Sequence, residues 1–146
     1  MIVAAAGDKS KRQLGWMTRS KPLVLKSGRI LLPLYSDGFN FSLVAYSDDA
    51  GNQWSVGEPI VGYGNVQPSL TQKKDGSIVA LMRDNGDLPG RVLQSISADD
   101  GEHWSAVDDL KIPNPGSSLH TLALPNGEWL MVNNNLEKGR NELHLN

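Results

Sequence analysis

Ser97-Ala98-Asp99-Asp100-Gly101-Glu102-His103-Trp104 repeats a stretch found fifty residues earlier, Ser47-Asp48-Asp49-Ala50-Gly51-Asn52-Gln53-Trp54. Both read Ser-x-Asp-x-Gly-x-x-Trp, and each follows an alternating apolar run and precedes a Ser. The residue types are those of a tight turn. An Asp carboxylate accepts backbone N–H groups, and Gly takes a positive φ where a Cβ would clash. The Trp then folds back as a large apolar plug with one N–H to satisfy. Two copies in the same strand context mark a repeat, and Trp54 and Trp104 are both expected to be largely buried.

Working outward, three hairpin signals recur at Ser27-Gly28, Asp75-Gly76 and Asn126-Gly127, each between two apolar runs. After each comes an apolar strand, over residues 29–34, 77–82 and 128–132. A polar loop follows, then a second strand over 41–46, 91–96 and 141–145. In the first two units the Ser-x-Asp-x-Gly-x-x-Trp stretch comes next, with a further strand near 56–61 or 106–112. No segment of useful length carries helical periodicity. The expected fold is all-β, with four-stranded antiparallel sheets repeating about every fifty residues.

These residues resemble the Asp box (the bacterial neuraminidase repeat) of sialidases and related β-propellers. Arg19-Ser20-Lys21-Pro22, Gly28-Arg29-Ile30-Leu31-Leu32-Pro33-Leu34-Tyr35, Gln67-Pro68-Ser69-Leu70 and Pro113-Asn114-Pro115-Gly116-Ser117 resemble the sialidase-like branch of that superfamily. The resemblance runs from about Gly15 to the C-terminus. It implies blades at 16–62 and 63–112, with Asp boxes at 47–54 and 97–104, and an incomplete blade at 113–146. The chain thus holds about two and a half blades of an expected six. Either it is a piece of a longer protein, the simpler reading, or a homo-oligomer completes the ring.

Composition bounds the function. At 146 residues, 39% hydrophobic and 21% charged, the chain suits a soluble globular protein with one ordinary core. A net charge of -2 gives no support to nucleic-acid or acidic-membrane binding, and no apolar run is long enough to cross a bilayer. Residues Ile2 to Ala6 are too few for a signal-peptide core. The basic cluster Lys9, Lys11 and Arg12 reads as a solvated loop or the end of a preceding blade. Without Cys there are no disulfides or thiolate metal sites, and the compartment stays open. A longer protein with a signal peptide would be secreted or periplasmic.

Blade geometry sorts residues by face. With the four strands of a blade lettered A to D in chain order, the A–B hairpins and Asp boxes lie at one end, and the starts of strand A and the B–C loops lie at the other. Seven residues after each hairpin Gly stand Tyr35, Arg83 and Asn134, equivalent positions with three different polar side chains. Divergence there suggests a site lining. Arg19 and Gln67 precede strand A, Asp37 and Asp84 sit in B–C loops, and Arg91 and Arg140 leave them.

What the resemblance implies is a terminal acidic sugar of a glycan held by three arginines, because a guanidinium pairs with carboxylate in bidentate fashion. A Tyr nucleophile partnered by Glu and an Asp acid/base would complete the chemistry of a glycoside hydrolase. The expected substrate-binding set is Arg19, Gln67, Arg83, Arg140 and Asn134, and the catalytic candidates are Tyr35 and Asp37. No Tyr–Glu pair can be placed, so the chain alone is expected to be inactive. The alternative is a non-catalytic glycan-binding or scaffold propeller. No cofactor or metal is expected: Asp48-Asp49 and Asp99-Asp100 belong to the boxes and lack calcium-loop spacing. Trp16 and Trp129 are core or sugar-platform candidates, His120 lies on a strand, and Asn40-Phe41-Ser42 matches a glycosylation sequon.

Overall fold

A computed structural model describes residues 15–146. The basic cluster Lys9, Lys11 and Arg12 and the apolar start of the chain lie outside the described residues. There is no helix among the described residues. Three antiparallel sheets follow one another in sequence. The first comprises β1 (Leu23–Val24), β2 (Ile30–Ser36), β3 (Phe41–Ser47) and β4 (Ser55–Val56). The second holds β5 (Asn65–Gln72), β6 (Ile78–Asp84), β7 (Arg91–Ser97) and β8 (Asp108–Pro113). The third is a three-stranded sheet of β9 (His120–Ala123), β10 (Trp129–Asn133) and β11 (His144–Leu145). Neighbours in each sheet are neighbours in sequence, the up-and-down order of propeller blades.

The hairpins between the first two strands of each sheet are copies of one turn. Leu25 N–H donates to Arg29 O at 2.9 Å and Gly28 N–H to Leu25 O at 3.0 Å. The same pair of bonds closes Lys73–Ser77, at 2.8 and 3.1 Å, and Leu124–Glu128, at 2.8 and 2.9 Å. The glycines take φ of 92°, 94° and 83°, as a hairpin turn ending in a left-handed residue requires.

The sheets stack face to face through two apolar layers. Leu31 and Val44 of the first sheet meet Leu70, Ile78, Ala80, Met82 and Leu93 of the second. Val79, Leu81 and Val92 of the second meet Leu119 and Met131 of the third. β6 therefore sends Ile78, Ala80 and Met82 one way and Val79 and Leu81 the other. That is why its sequence is a continuous apolar run and not an alternation.

Three expectations need correction. The outer strand of the first sheet is only Ser55–Val56, not 56–61. Beyond it Gly57 and Ile60 still donate to Val44 O and Ser42 O, but Pro59 has no N–H to give. In the third sheet the last strand shrinks from 141–145 to His144–Leu145. Trp54 is not buried: it is 44% exposed, whereas Trp104 is half-buried against the layer between the first two sheets. The reason is position in the stack. The second box lies against the first sheet, while no other described sheet covers the first box.

Candidate functional site

Register places the candidate residues at the end of the blades opposite the boxes. Met17 forms a bridge with Tyr35, 2.9 Å in each direction, so the segment entering the first blade lies beside the end of β2. In the second blade Asn65 pairs with Asp84 and Val66 with Arg83 at the same level. The B–C loops after Ser36, Asp84 and Asn133 rise from this end.

Two tiers of equivalent positions meet there. One is the expected Tyr35, Arg83 and Asn134. The other lies nine residues before each hairpin Gly: Arg19, Gln67 and Ser118. Ser118 was missed from the sequence, although the same spacing finds it. Two members of the second tier, Gln67 and Ser118, are bonded across blades. Ser118 Oγ donates to Gln67 Oε1, and Gln67 Nε2 donates to the Tyr35 hydroxyl at 3.5 Å. Gln67 and Tyr35 are only 5% and 6% exposed, so the Gln67 amide is occupied within the protein.

Two of the arginines, Arg83 and Arg140, meet at a loop. Pro113–Ser117 is held by the fully buried Asn114, whose side-chain oxygen accepts the N–H groups of Gly116 and Ser117, both at 3.0 Å. Its amide donates to Ser117 O, also at 3.0 Å. Arg140 Nη2 donates to Gly116 O at 2.5 Å. A Cβ on Gly116 would lie 3.9 Å from Arg140 Nη2 and 4.0 Å from Arg83 Nη2, so two guanidiniums approach over one bare backbone position. Arg83 also donates to Asn85 Oδ1 at 2.9 Å, and Asn85 donates to Asn40 Oδ1 at 2.8 Å. Asn40 of the sequon is thereby engaged in a loop-to-loop bond.

Electrostatics tie Arg83 to the rest. Burial first, and then the charges of Arg140 and Arg19, hold its guanidinium below the ordinary value; Asp37 and Tyr35 pull the other way. Arg83 Nε is buried and has no hydrogen-bond partner. Arg19 and Asp37 are exposed. Asn134 gives its side-chain N–H to Glu142 O within its own loop. Asp84 is committed to its own loop, and Arg91 bridges that loop to the one of the third sheet. Arg91 pairs with Glu137 at 2.9 Å, and Asp84 accepts Gly86 N–H at 2.7 Å and Arg91 N–H at 3.1 Å. His120 opens β9 half-buried, and burial with the nearby Lys21 charge pushes its imidazole down. Trp16 packs with Phe39 and Phe41, at ring separations of 6.3 and 5.3 Å, beside the first B–C loop. Trp129 lies against the second apolar layer.

The comparisons with known proteins agree with this architecture. Residues 10–146 match the model of the BNR repeat-like domain. The anhydrosialidase of Macrobdella decora is 31% identical over 81 residues, 54% of this chain and 10% of that protein. An intramolecular trans-sialidase from Ruminococcus gnavus superposes with a TM-score of 0.64 at 28% identity, over 81% of this chain and 26% of its own. The NanB sialidase of Streptococcus pneumoniae, in a variant form, superposes with a TM-score of 0.71 at 23% identity, over 85% of this chain and 20% of its own. The chain thus spans only a tenth of the curated relative and about a quarter or less of these two structures. With nearly its whole length matched, the chain belongs to the BNR repeat-like family, the Asp-box β-propellers of the sialidase superfamily.

Proposed function

We propose that this chain supplies part of the substrate cleft of a sialidase-like glycoside hydrolase that acts on terminal acidic sugars of glycans. Arg83, Arg140 and Arg19 receive the sugar carboxylate, Asn134 stands at the rim, and Asp37 and Tyr35 are the catalytic candidates. The observation that carries the reading is the approach of Arg83 and Arg140 over Gly116, with Arg19 in electrostatic reach. Like charges so placed repel in an empty cleft, and an anion relieves that repulsion. The buried, unpartnered Arg83 Nε–H further favours an acceptor from outside the chain. In this reading the sheets are consecutive blades, within 16–62, 63–112 and 113–146, of a ring of about six. The remainder comes from a longer chain or from a second copy.

A non-catalytic glycan-binding propeller is the second reading. It is favoured by the Tyr35 hydroxyl, which is buried toward Gln67 and has no Glu bonded to it among the described residues. Calorimetric titration with sialic acid and with neutral galactose tests the common ground. Sialic acid alone should bind, and Arg83→Lys should weaken it by about tenfold, as loss of a bidentate carboxylate contact implies. Equal binding of galactose, or an unchanged Arg83→Lys, would refute the carboxylate reading. A fluorogenic sialoside separates the two functions: the chain alone should not hydrolyse it, and hydrolysis would show that its catalytic set is complete.

A further inference from the structure

Gln67 is the conformational outlier of the cleft. Its φ is +57°, in the left-handed region, and it is neither Gly nor in an exposed turn. It also precedes Pro68, whose ring disfavours helical-type backbone in the residue before it. The ladder shifts register between Val66 and Ser69 to accommodate it. A buried side chain held in such a conformation is kept there by its surroundings, and such strain collects at functional sites. Here the surroundings are the neighbouring blades. Gln67 of the second blade accepts the Ser118 hydroxyl of the third and donates to the Tyr35 hydroxyl of the first.

We propose that Gln67 is a positioning residue rather than a ligand contact: it fixes the Tyr35 phenol oxygen beside the arginine cleft, and Ser118 fixes Gln67. The backbone distortion serves that end. An extended, unbulged residue would send its side chain along the normal alternation of β5, whereas the bulge re-aims it between the blades. Tyr35 is already anchored at its backbone by Met17, so one side-chain bond suffices to set its hydroxyl. The Tyr35 hydroxyl proton, not needed for the bond from Gln67, remains free to point elsewhere. Only the last step of the test below rests on the acidic-sugar reading.

The test begins without ligand. The chain has Tyr35, Tyr46 and Tyr63, so carbon-13 labelling of the phenol ring carbon that bears oxygen gives three signals, assigned with Tyr35→Phe. Gln67→Leu and Ser118→Ala should each move the Tyr35 signal and leave the other two in place. Ser118→Ala is the sharper variant, because its hydroxyl bonds Gln67 and not the phenol. It also stands if Gln67→Leu does not fold. A folded Ser118→Ala protein with an unmoved Tyr35 signal would overturn the proposal. The sialic-acid titration is then run as a double-mutant cycle. Gln67→Leu should weaken binding by about three- to tenfold in the wild type and by less than about twofold in a Tyr35→Phe background. Equal losses in both backgrounds would make Gln67 a ligand contact and refute positioning. If the wild type binds no sialic acid, the carboxylate reading fails, and the ring-carbon signals decide the positioning by themselves.

Discussion

The two Asp boxes are the same turn in two different places. In each, the Ser hydroxyl accepts the Gly N–H at 2.9 Å and donates to the Asp carboxylate, at 2.8 Å in the first box and 2.9 Å in the second. The carboxylate accepts the N–H of Gln53 at 2.8 Å or of His103 at 3.0 Å. The indole N–H returns to the Gly carbonyl at 3.0 or 3.1 Å. Yet Trp54 is exposed and Trp104 is half-buried, because only the second box has a described blade beneath it. Glu58 N–H reaches Glu102 O at 2.9 Å. Arg29 bonds Asp48 of its own blade and Glu102 of the next, at 2.7 and 2.8 Å, and lies 4.4 Å from the Tyr46 ring centre. A motif can thus make its turn alone, but its contribution to stability is set by what the turn touches.

Paired substitutions sharpen this contrast. Gly101 and Gly51 share a φ of 91°, but a Cβ on Gly101 would come within 3.0 Å of Leu31 Cδ2, while one on Gly51 meets only Trp54 at 3.7 Å. Gly101→Ala should cost about 2–4 kcal/mol, strain plus overpacking, and Gly51→Ala about 1–2 kcal/mol, strain alone. Equal losses in urea denaturation would show that the blade contact does not matter. Next come the indoles. Trp104→Ala should cost about 2–3 kcal/mol and Trp54→Ala about 1 kcal/mol, less than a fully buried Trp because neither is enclosed. A larger loss at Trp54 would break the comparison.

Arg29 joins the two boxes, and Arg29→Met should cost about 1–2 kcal/mol by leaving Asp48 and Glu102 unpaired at a largely exposed edge. Double-mutant cycles with Asp48→Asn and Glu102→Gln would measure each half. The smallest effect is pH dependence: both box carboxylates are held below their ordinary value, but only the second box carries a histidine that titrates near neutrality. The bond to Asp99 raises the His103 imidazole above its ordinary 6.5, so its contribution is complete below that value and lost as pH rises through the folded one. Burial pushes the Asp99 carboxyl up, but the His103 N–H and ring and the Ser97 hydroxyl outweigh it and hold the carboxyl at about 2. Its contribution is therefore present above 3.8 and lost as pH falls toward 2. His103→Gln copies Gln53 of the first box and should flatten the loss of stability as pH rises above 6.5. An unchanged profile would place the dependence elsewhere.

Local chemistry was legible in the sequence. The three hairpins form where their glycines fall, with the same bonds, because a turn is decided by the few residues that make it. The apolar runs of β2 and β6 and the Ser-x-Asp-x-Gly-x-x-Trp turns were likewise readable, and together they specify antiparallel blades. The last strands of the first and third sheets, both edges, were overestimated, whereas that of the second formed over Asp108–Pro113. Val56 and Val61 are 60% and 68% exposed, so their apolar character has no packing to enforce a ladder. Trp54 was misjudged for the related reason that its burial depends on a neighbour, which the motif does not contain.

For the candidate site, spacing alone placed Tyr35, Arg83 and Asn134 at the ends of equivalent strands; Arg19 and Gln67 were expected ahead of a blade's first strand, but Gln67 lies inside β5. Only the tertiary structure brought Arg140 over Gly116 beside Arg83, since that approach depends on a loop held by the buried Asn114. Only the structure turned Gln67 inward, through a left-handed backbone before Pro68 and bonds to two other blades. Repeat spacing is a property of the chain, so the sequence carries it. The direction of a side chain between blades is a property of their packing, so it exists only once the blades have met.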